Sequence, residues 1–548
     1  MRTTLFRLCL LIGGVIIGAA FFAEAIGLDN DPGWGRGRIA ILILGIVIIA
    51  SGIFIYSYTD TAFSIFHKIQ SLLFQSLARL LKLFQHYWYT FPILVFVILV
   101  YIWFASSDSW SDWHSATYHY ANLAIGFKEG HLYLPLEPNP EVLSLSNPYD
   151  PVARQGVSFP VDYSLYNGKY YLYWGPVPAL ILVAISPFTH GRVGDLNLVF
   201  SFICGIFLLQ FLFITTIWDR FFRDLPKWLL LISILVLGLS SPWTYMLINE
   251  PNGRIYEAAI SGAQFFFMGG LLTTIIVFKK PIPSSFALLF TSFLWALAIG
   301  TRLVLVVPVS FMMLMIAYRI WKTTRSSLTT LAMKLVSLSF PVILCLVCLG
   351  WYNWSRFGSV TETGFSYALA GTNLNIHNDL FSPIYITPNL YTYLLQPPAS
   401  MAQFPFLYPK ESSPVIGLMF IAPFTVFAIL STVNLLMNAT RNASSKSLEK
   451  DNSNGLLNWI IANLLGTFSS AFFVILTFFW IATRYVADFM PALAILSMVG
   501  FWQGYRLLRQ RPLMQRMYSM LGIVLITASI TINILLSISV KYIGRTGL

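Results

Sequence analysis

Apolar residues recur in runs of bilayer-spanning length along almost the whole chain, with short polar segments between them. A hydrocarbon core of about 30 Å takes about 20 apolar residues per helix. Such runs lie at 5–27, 37–58, 91–106, 195–217, 228–248, 258–278, 284–300, 303–320, 335–352, 414–437, 458–481, 485–503 and 518–539. The pattern therefore predicts an all-α polytopic bundle of about 13 transmembrane helices. The run Pro176–Phe188 is too short and carries Pro176, Pro178 and Pro187. It reads as an interfacial or re-entrant helix that returns to the face it left.

One polar and aromatic stretch interrupts this pattern, roughly Ser107–Gly175, where Asp, His, Tyr and Trp crowd together. Its side follows from the basic loops His67–Lys82, Asp219–Lys227, Arg319–Lys334, Arg441–Lys450 and Tyr505–Arg516, which the positive-inside rule puts in the cytoplasm. The amino terminus is then cytoplasmic. The segment 107–197 forms an external layer with the loops 249–257, 301–302, 353–413 and 483–488. Three parts follow: 1–90, a hairpin plus an amphipathic interfacial helix over Thr59–Trp88; 91–352, a transmembrane core with the first external loop 107–197; and 353–548, an external loop with the last helices.

With 57% hydrophobic and 10% charged residues, the chain is excluded from the water-soluble class. The net charge of +12 is accounted for by cytoplasmic loops and anionic lipid, so the bilayer is the expected partner and nucleic acid is not. Cys9, Cys204, Cys345 and Cys348 all fall in apolar runs and read as helix packing. The segment Met1–Ala25 reads as an uncleaved signal anchor.

Candidate chemistry sits in the external layer. Asp108 and Asp112 follow the third span, where a partly desolvated carboxylate suits a general base and equally suits a helix N-cap. His114 and His119 lack a third ligand at helical spacing, so no metal site is expected and any divalent-metal requirement stays open. Tyr118 follows closely. Asn167-Gly168 signals a tight turn between two aromatic segments. Around it, Arg154, Asp162, Lys169, Tyr170 and Tyr171 suit stacking on a sugar or clamping a lipid-linked phosphate, and the aromatic residues equally suit an interfacial belt. Arg302 interrupts an apolar run and calls for a turn or a buried partner, because an arginine at mid-bilayer costs about 2.5 to 3.5 kcal/mol. Glu257, Arg356, Arg484 and Asp488 stand at span ends, where guanidinium groups suit phosphate oxygens and ion pairing alike.

These residues carry a resemblance. The outer-loop aspartates, the helix ending KEGHL at Lys128–Leu132, YNGKYYLYWGPVP from Tyr166, SPWTYML from Ser241, Tyr256-Glu257-Ala258, the GTR at Gly300, WYNWSRFGSVTETG from Trp351 and TRYVADFMPAL from Thr483 resemble a bacterial family of uncharacterised membrane proteins. That family is similar to polyprenyl-phosphate-dependent GT-C glycosyltransferases of the protein mannosyltransferase and aminoarabinose transferase type. The likeness covers about Phe91–Ser539. It implies a GT-C-like fold in a bacterial cytoplasmic membrane with an extracytoplasmic active face. It also implies transfer of a sugar from a polyprenyl-phosphate donor, with no further cofactor, to a glycan, lipid or protein acceptor. Asp112, or else Asp108, would be the general base, and Lys169, Arg302, Arg356 and Arg484 would face the phosphate. The family's acid before the tyrosine pair is absent here, where Ser115, Ala116 and Thr117 precede Tyr118. Two other functions are compatible with the same layout: a lipid-linked oligosaccharide ligase or polymerase, and a non-catalytic transporter or flippase. The latter would want ionisable residues at mid-membrane, and few besides Arg302 are present.

Overall fold

The computed structural model describes residues 2–21, 23, 38–39, 41–49, 86–111, 113–189, 191–248, 255–278, 282–324, 326–376, 379–409, 415–444 and 452–546. Two compact units make up the chain, Met1–Phe91 and Pro92–Leu548. In the first, the helix Arg2–Phe21 lies close against the helical residues 41–49. A Cβ at Gly13 would stand 2.8 Å from the Gly45 carbonyl oxygen, so the two backbones approach through glycine, as small residues allow in lipid. Most of the amphipathic helix expected over Thr59–Trp88 lies outside the described residues.

Among the described residues, eight helices are long and apolar enough to cross a bilayer: Trp88–Ala105, Asp195–Phe222, Trp228–Met246, Ile255–Val277, Leu303–Thr324, Leu328–Phe357, Gly455–Thr477 and Pro512–Lys541. Shorter apolar helices accompany them at Cys9–Phe21, Val177–Phe188, Ser285–Thr301 and Pro423–Asn438. The protein is an all-α polytopic membrane protein.

Two expected runs take a different form. The run 414–437 breaks into Leu418–Ile421, a 3-10 turn Pro423–Phe427 and the helix Ala428–Ser444, because Pro423 has no N–H to continue the first helix. The run 485–503 opens with the 3-10 segment Thr483–Asp488, and its α-helix begins at Met490 with Pro491 in the first turn. Pro176–Phe188 holds a helix over Val177–Ile185 and a 3-10 turn Ser186–Phe188. At about 1.5 Å per residue this is far shorter than a bilayer core.

In the second unit, Met490–Leu507 and Ile255–Val277 are buried over most of their circumference and form the core. Around Ile255–Val277 the packing is glycine against aromatic: Gly270 faces Trp295, Gly262 faces Phe202, and Gly205 faces Phe265. The end of the unit that carries Asp224, Arg506 and Arg509, joined in ion pairs, is separated from Asp195 by the length of the helix Asp195–Ile217.

At the Asp195 end the two long loops are stitched together. Strands Ser164–Tyr166 and Lys169–Tyr171 form an antiparallel hairpin, and Asn167 and Gly168 both take positive φ, as a two-residue hairpin turn of primed type requires. Ser164 bridges to Ala368, the Ser164 hydroxyl donates to the Gly364 carbonyl at 2.7 Å, and Leu369 N–H donates to the Tyr163 carbonyl at 2.8 Å. Loop segments some 200 residues apart in sequence thus form one layer.

Candidate functional site

Six segments converge on a cavity of about 800 Å³ within the second unit. They are the exit of the hairpin (Tyr173 to Pro176), the start of Ile255–Val277 (Tyr256), the turn at Arg302 with Leu303, Val304 and Val307, the end of Leu328–Phe357, loop residues Val360, Thr361, Thr363, Phe365, Leu380 and Phe381, and the end of Asn452–Thr477 with Tyr485. Leu346, Leu349, Ile475 and Phe478 make much of the wall apolar, and Tyr173, Trp174, Tyr256, Arg302 and Tyr485 gather polar groups on it.

Arg302 caps the helix Ser285–Thr301 in an extended conformation, which turns the chain away before Leu303–Leu305. Its Nη2 donates to Asp488 Oδ2 at 2.8 Å, and both side chains are buried. The residue thus has both the turn and the buried partner that its place in an apolar run demands. Gln264 Nε2 donates to the Asp488 carbonyl at 2.9 Å and fixes that segment. The Arg302 guanidinium lies 5.2 Å from the Trp174 ring and 5.3 Å from the Tyr485 ring. Its Nε and Nη1 have no hydrogen-bond partner among the described residues. A buried cation with idle donors on a cavity wall is a site for an anion's oxygens.

Behind the wall lies a second ion pair, Arg484 to Glu257 at 3.8 Å, with the guanidinium 4.0 Å from the Tyr256 ring. The phenols continue it: Tyr173 Oη donates to Tyr256 Oη at 2.7 Å, and Tyr256 Oη donates to Asp162 Oδ1 at 2.8 Å. Burial pushes the Asp162 carboxyl above the usual range, while the Tyr256 hydrogen bond and the Arg484 and His119 charges oppose that rise. Burial likewise pushes the His119 imidazole down, against the pull of Asp195 and Asp162. Arg356 reaches the cavity, but its donors are committed: Nη1 to the Leu172 carbonyl at 2.6 Å and Nη2 to Asn353 Oδ1 at 2.9 Å. It clamps the hairpin exit onto the end of Leu328–Phe357.

Other expected site residues do not line this cavity. Asp112 lies outside the described residues. Asp108 sits in a left-handed turn and pairs with Lys541, whose ammonium is 5.0 Å from the Trp103 ring. His114 and Tyr118 are exposed. Arg154 donates to the Ala370 carbonyl and stacks over Phe159 at 4.4 Å, which ties the loops together. Lys169 is exposed over the Tyr133 ring at 3.9 Å. Tyr170 and Tyr171 pack within the loop layer at the Asp195 end, against Tyr163 at 5.8 Å and Phe357 at 5.2 Å. Among the described residues, no three His, Cys, Asp or Glu side chains are grouped to hold a metal ion.

Tyr173, Trp174, Tyr256 and Tyr485 stand inside the motifs YNGKYYLYWGPVP, Tyr256-Glu257-Ala258 and TRYVADFMPAL, yet none was expected as a site residue from the sequence. Asp195 was likewise not expected from the sequence. This buried carboxylate accepts from the backbone N–H of His119 at 2.8 Å and of Tyr120 at 3.2 Å, and so caps the helix His119–Lys128. Seventy-six residues separate Asp195 from His119, and no local pattern encodes the contact.

No family model matches the chain, and no curated protein matches it. Two solved structures are similar. One is the archaeal oligosaccharyltransferase AglB from Archaeoglobus fulgidus in complex with an inhibitory peptide and a dolichol-phosphate, at 12% identity and a TM-score of 0.43, over 84% of this chain and 56% of that one. The other is the Archaeoglobus fulgidus oligosaccharyltransferase in the apo form, at 11% identity and a TM-score of 0.45, over 83% of this chain and 56% of that one. The chain thus spans little more than half the length of either.

Proposed function

We propose that the protein is a membrane glycosyltransferase that moves a sugar from a polyprenyl-phosphate donor to an acceptor on the extracytoplasmic face. The observation that carries this reading is the cavity's amphiphilic lining. Apolar side chains such as Val304, Val307, Leu346, Leu349 and Phe478 suit an isoprenoid chain, and the Arg302 guanidinium with two idle donors suits its phosphate. Trp174, 5.2 Å from that guanidinium, offers a face for a sugar ring.

In the reaction, an acceptor hydroxyl attacks the anomeric carbon from the side opposite the phosphate. The new C–O bond forms as the anomeric C–O(phosphate) bond breaks, and the configuration inverts. The leaving phosphate gains charge against Arg302, which Asp488 holds in place. Fixed donors aimed at a developing anion contribute more in a desolvated site than in water.

The test is transfer of labelled sugar from a panel of polyprenyl-phosphate hexoses and pentoses in membranes that contain the protein. Wild type should form a labelled product, and Arg302→Gln should lower turnover by about 10²–10³-fold. A wild type that leaves every donor intact rules the reading out.

A further inference from the structure

We infer that Asp162 takes up the acceptor's proton through the Tyr173 and Tyr256 hydroxyls, as a positioning residue behind the cavity wall; this rests on the glycosyl-transfer reading above. Both phenols line the cavity and Asp162 does not. The carboxylate is linked to the cavity by one hydrogen-bonded chain, Tyr173 Oη to Tyr256 Oη at 2.7 Å and Tyr256 Oη to Asp162 Oδ1 at 2.8 Å. Both protons already point toward Asp162. The Tyr173 oxygen is therefore left as the acceptor at the open end, where an incoming hydroxyl can donate.

The step balances without ionising either phenol. The acceptor O–H proton passes to Tyr173 Oη, the Tyr173 proton to Tyr256 Oη, and the Tyr256 proton to Asp162, as the acceptor oxygen bonds to the anomeric carbon. The electron pair of the broken bond stays on the phosphate oxygen. Asp162 is only partly buried, so it can release the proton to water on the loop side.

The surroundings hold Asp162 in place. Its φ of 65° is a left-handed conformation that Asp tolerates better than most residues. Its N–H donates to the Leu369 carbonyl at 3.2 Å, and Leu369 N–H donates to Tyr163, which binds the turn to the second loop. The titratable and charged groups around it are His119 from the helix His119–Lys128, Glu257 and Tyr256 from Ile255–Val277, and Arg484 from the 3-10 segment Thr483–Asp488. Desolvation raises the proton affinity of the carboxyl toward that of a working base.

The experiment measures kcat, donor KM and the pH profile of sugar transfer for wild type, Asp162→Asn, Asp162→Glu, Tyr256→Phe and Tyr173→Phe. Binding of a short-chain polyprenyl phosphate is followed in parallel by tryptophan fluorescence, and an infrared titration follows the Asp162 carboxyl. The expected result is a kcat loss of about 10²–10⁴-fold in Asp162→Asn, Tyr256→Phe and Tyr173→Phe, partial recovery in Asp162→Glu, and binding of the short-chain probe kept within about threefold. The acidic limb of the wild-type profile should vanish in Asp162→Asn. Tyr256→Phe should raise the infrared midpoint of Asp162, because it removes a hydrogen bond that favours the carboxylate. Variants that transfer sugar at near wild-type rates, or that keep the acidic limb, overturn the proposal. So does an infrared midpoint that Tyr256→Phe leaves unmoved. A wild type that transfers nothing while that midpoint rises refutes the glycosyl-transfer reading and with it the use of the chain, but not the hydrogen bonds themselves.

Discussion

Arg302 and Asp488, 186 residues apart in sequence, meet as a buried ion pair at 2.8 Å. The pair joins the turn after Ser285–Thr301 to the 3-10 segment before the buried helix Met490–Leu507, so it fixes the cavity's cation and a core element at once. Removing one partner should be costly, because the other charge would stay buried and uncompensated. Asp488→Leu should lower stability by about 3–5 kcal/mol, and the double change Arg302→Met with Asp488→Leu should recover much of that loss. Thermal unfolding in one detergent tests this. Equal transitions for the single and double variants would deny the coupling.

Gly175 lies on the Gly300-Thr301 turn with no room for a side chain. A Cβ there would overlap the Gly300 carbonyl oxygen and stand 2.8 Å from that of Thr301. Because the obstacles are backbone atoms, no rotamer change relieves the clash. Gly175→Ala should therefore cost about 1–3 kcal/mol and weaken binding of a polyprenyl phosphate probe by displacing Trp174 from Arg302. Unchanged melting and binding would show that the two segments can part freely.

His119 gives stability a pH dependence of definite sign. Burial lowers its folded-state pKa below the unfolded value of about 6.5. The unfolded chain then binds the proton first as pH falls, so the contribution of this residue is complete above about pH 6.5 and declines as pH drops toward the folded pKa. His119→Gln should flatten the melting temperature between about pH 8 and pH 5.5 relative to wild type. Parallel curves for the two proteins would exclude His119 as the source.

In the hairpin 164–171 the sequence was explicit at one point. Gly168 adopts a φ of 68°, where a side chain costs about 1–2 kcal/mol. Gly168→Val should accordingly lower the melting temperature, while Lys169→Ala, whose ammonium rests on an exposed face over Tyr133, should change it much less. A Gly168→Val protein as stable as wild type would argue against the positive-φ turn.

Legibility differed by residue. Asn167-Gly168 could be read because a two-residue turn is set by its own backbone preferences. The need of Arg302 for a partner could be read because an arginine in an apolar run is costly, yet the identity of that partner could not. Asp108 looked like a base because it follows a span, but its turn aims it at Lys541, at the far end of the chain. Tyr173 and Tyr256 carried no catalytic signal, since an aromatic residue at a span end ordinarily belongs to the interfacial belt. The opening 3-10 segment of the run 485–503 was also hidden, because hydropathy counts side chains and not backbone conformation.

The sequence by itself determined the membrane class, the approximate position of most spans and the tight turn of the hairpin. Each of these is a sum of local terms: transfer free energies added along a window, or the φ preferences of neighbouring residues. Only the tertiary structure decided which charges pair, that Asp195 caps a helix 76 residues upstream, and which aromatic residues face the cavity. In lipid an unpaired charge or backbone group is costly wherever it lies, so composition states that partners must exist. Their identity depends on which helices cross and at what depth, and it is fixed only when the whole bundle packs.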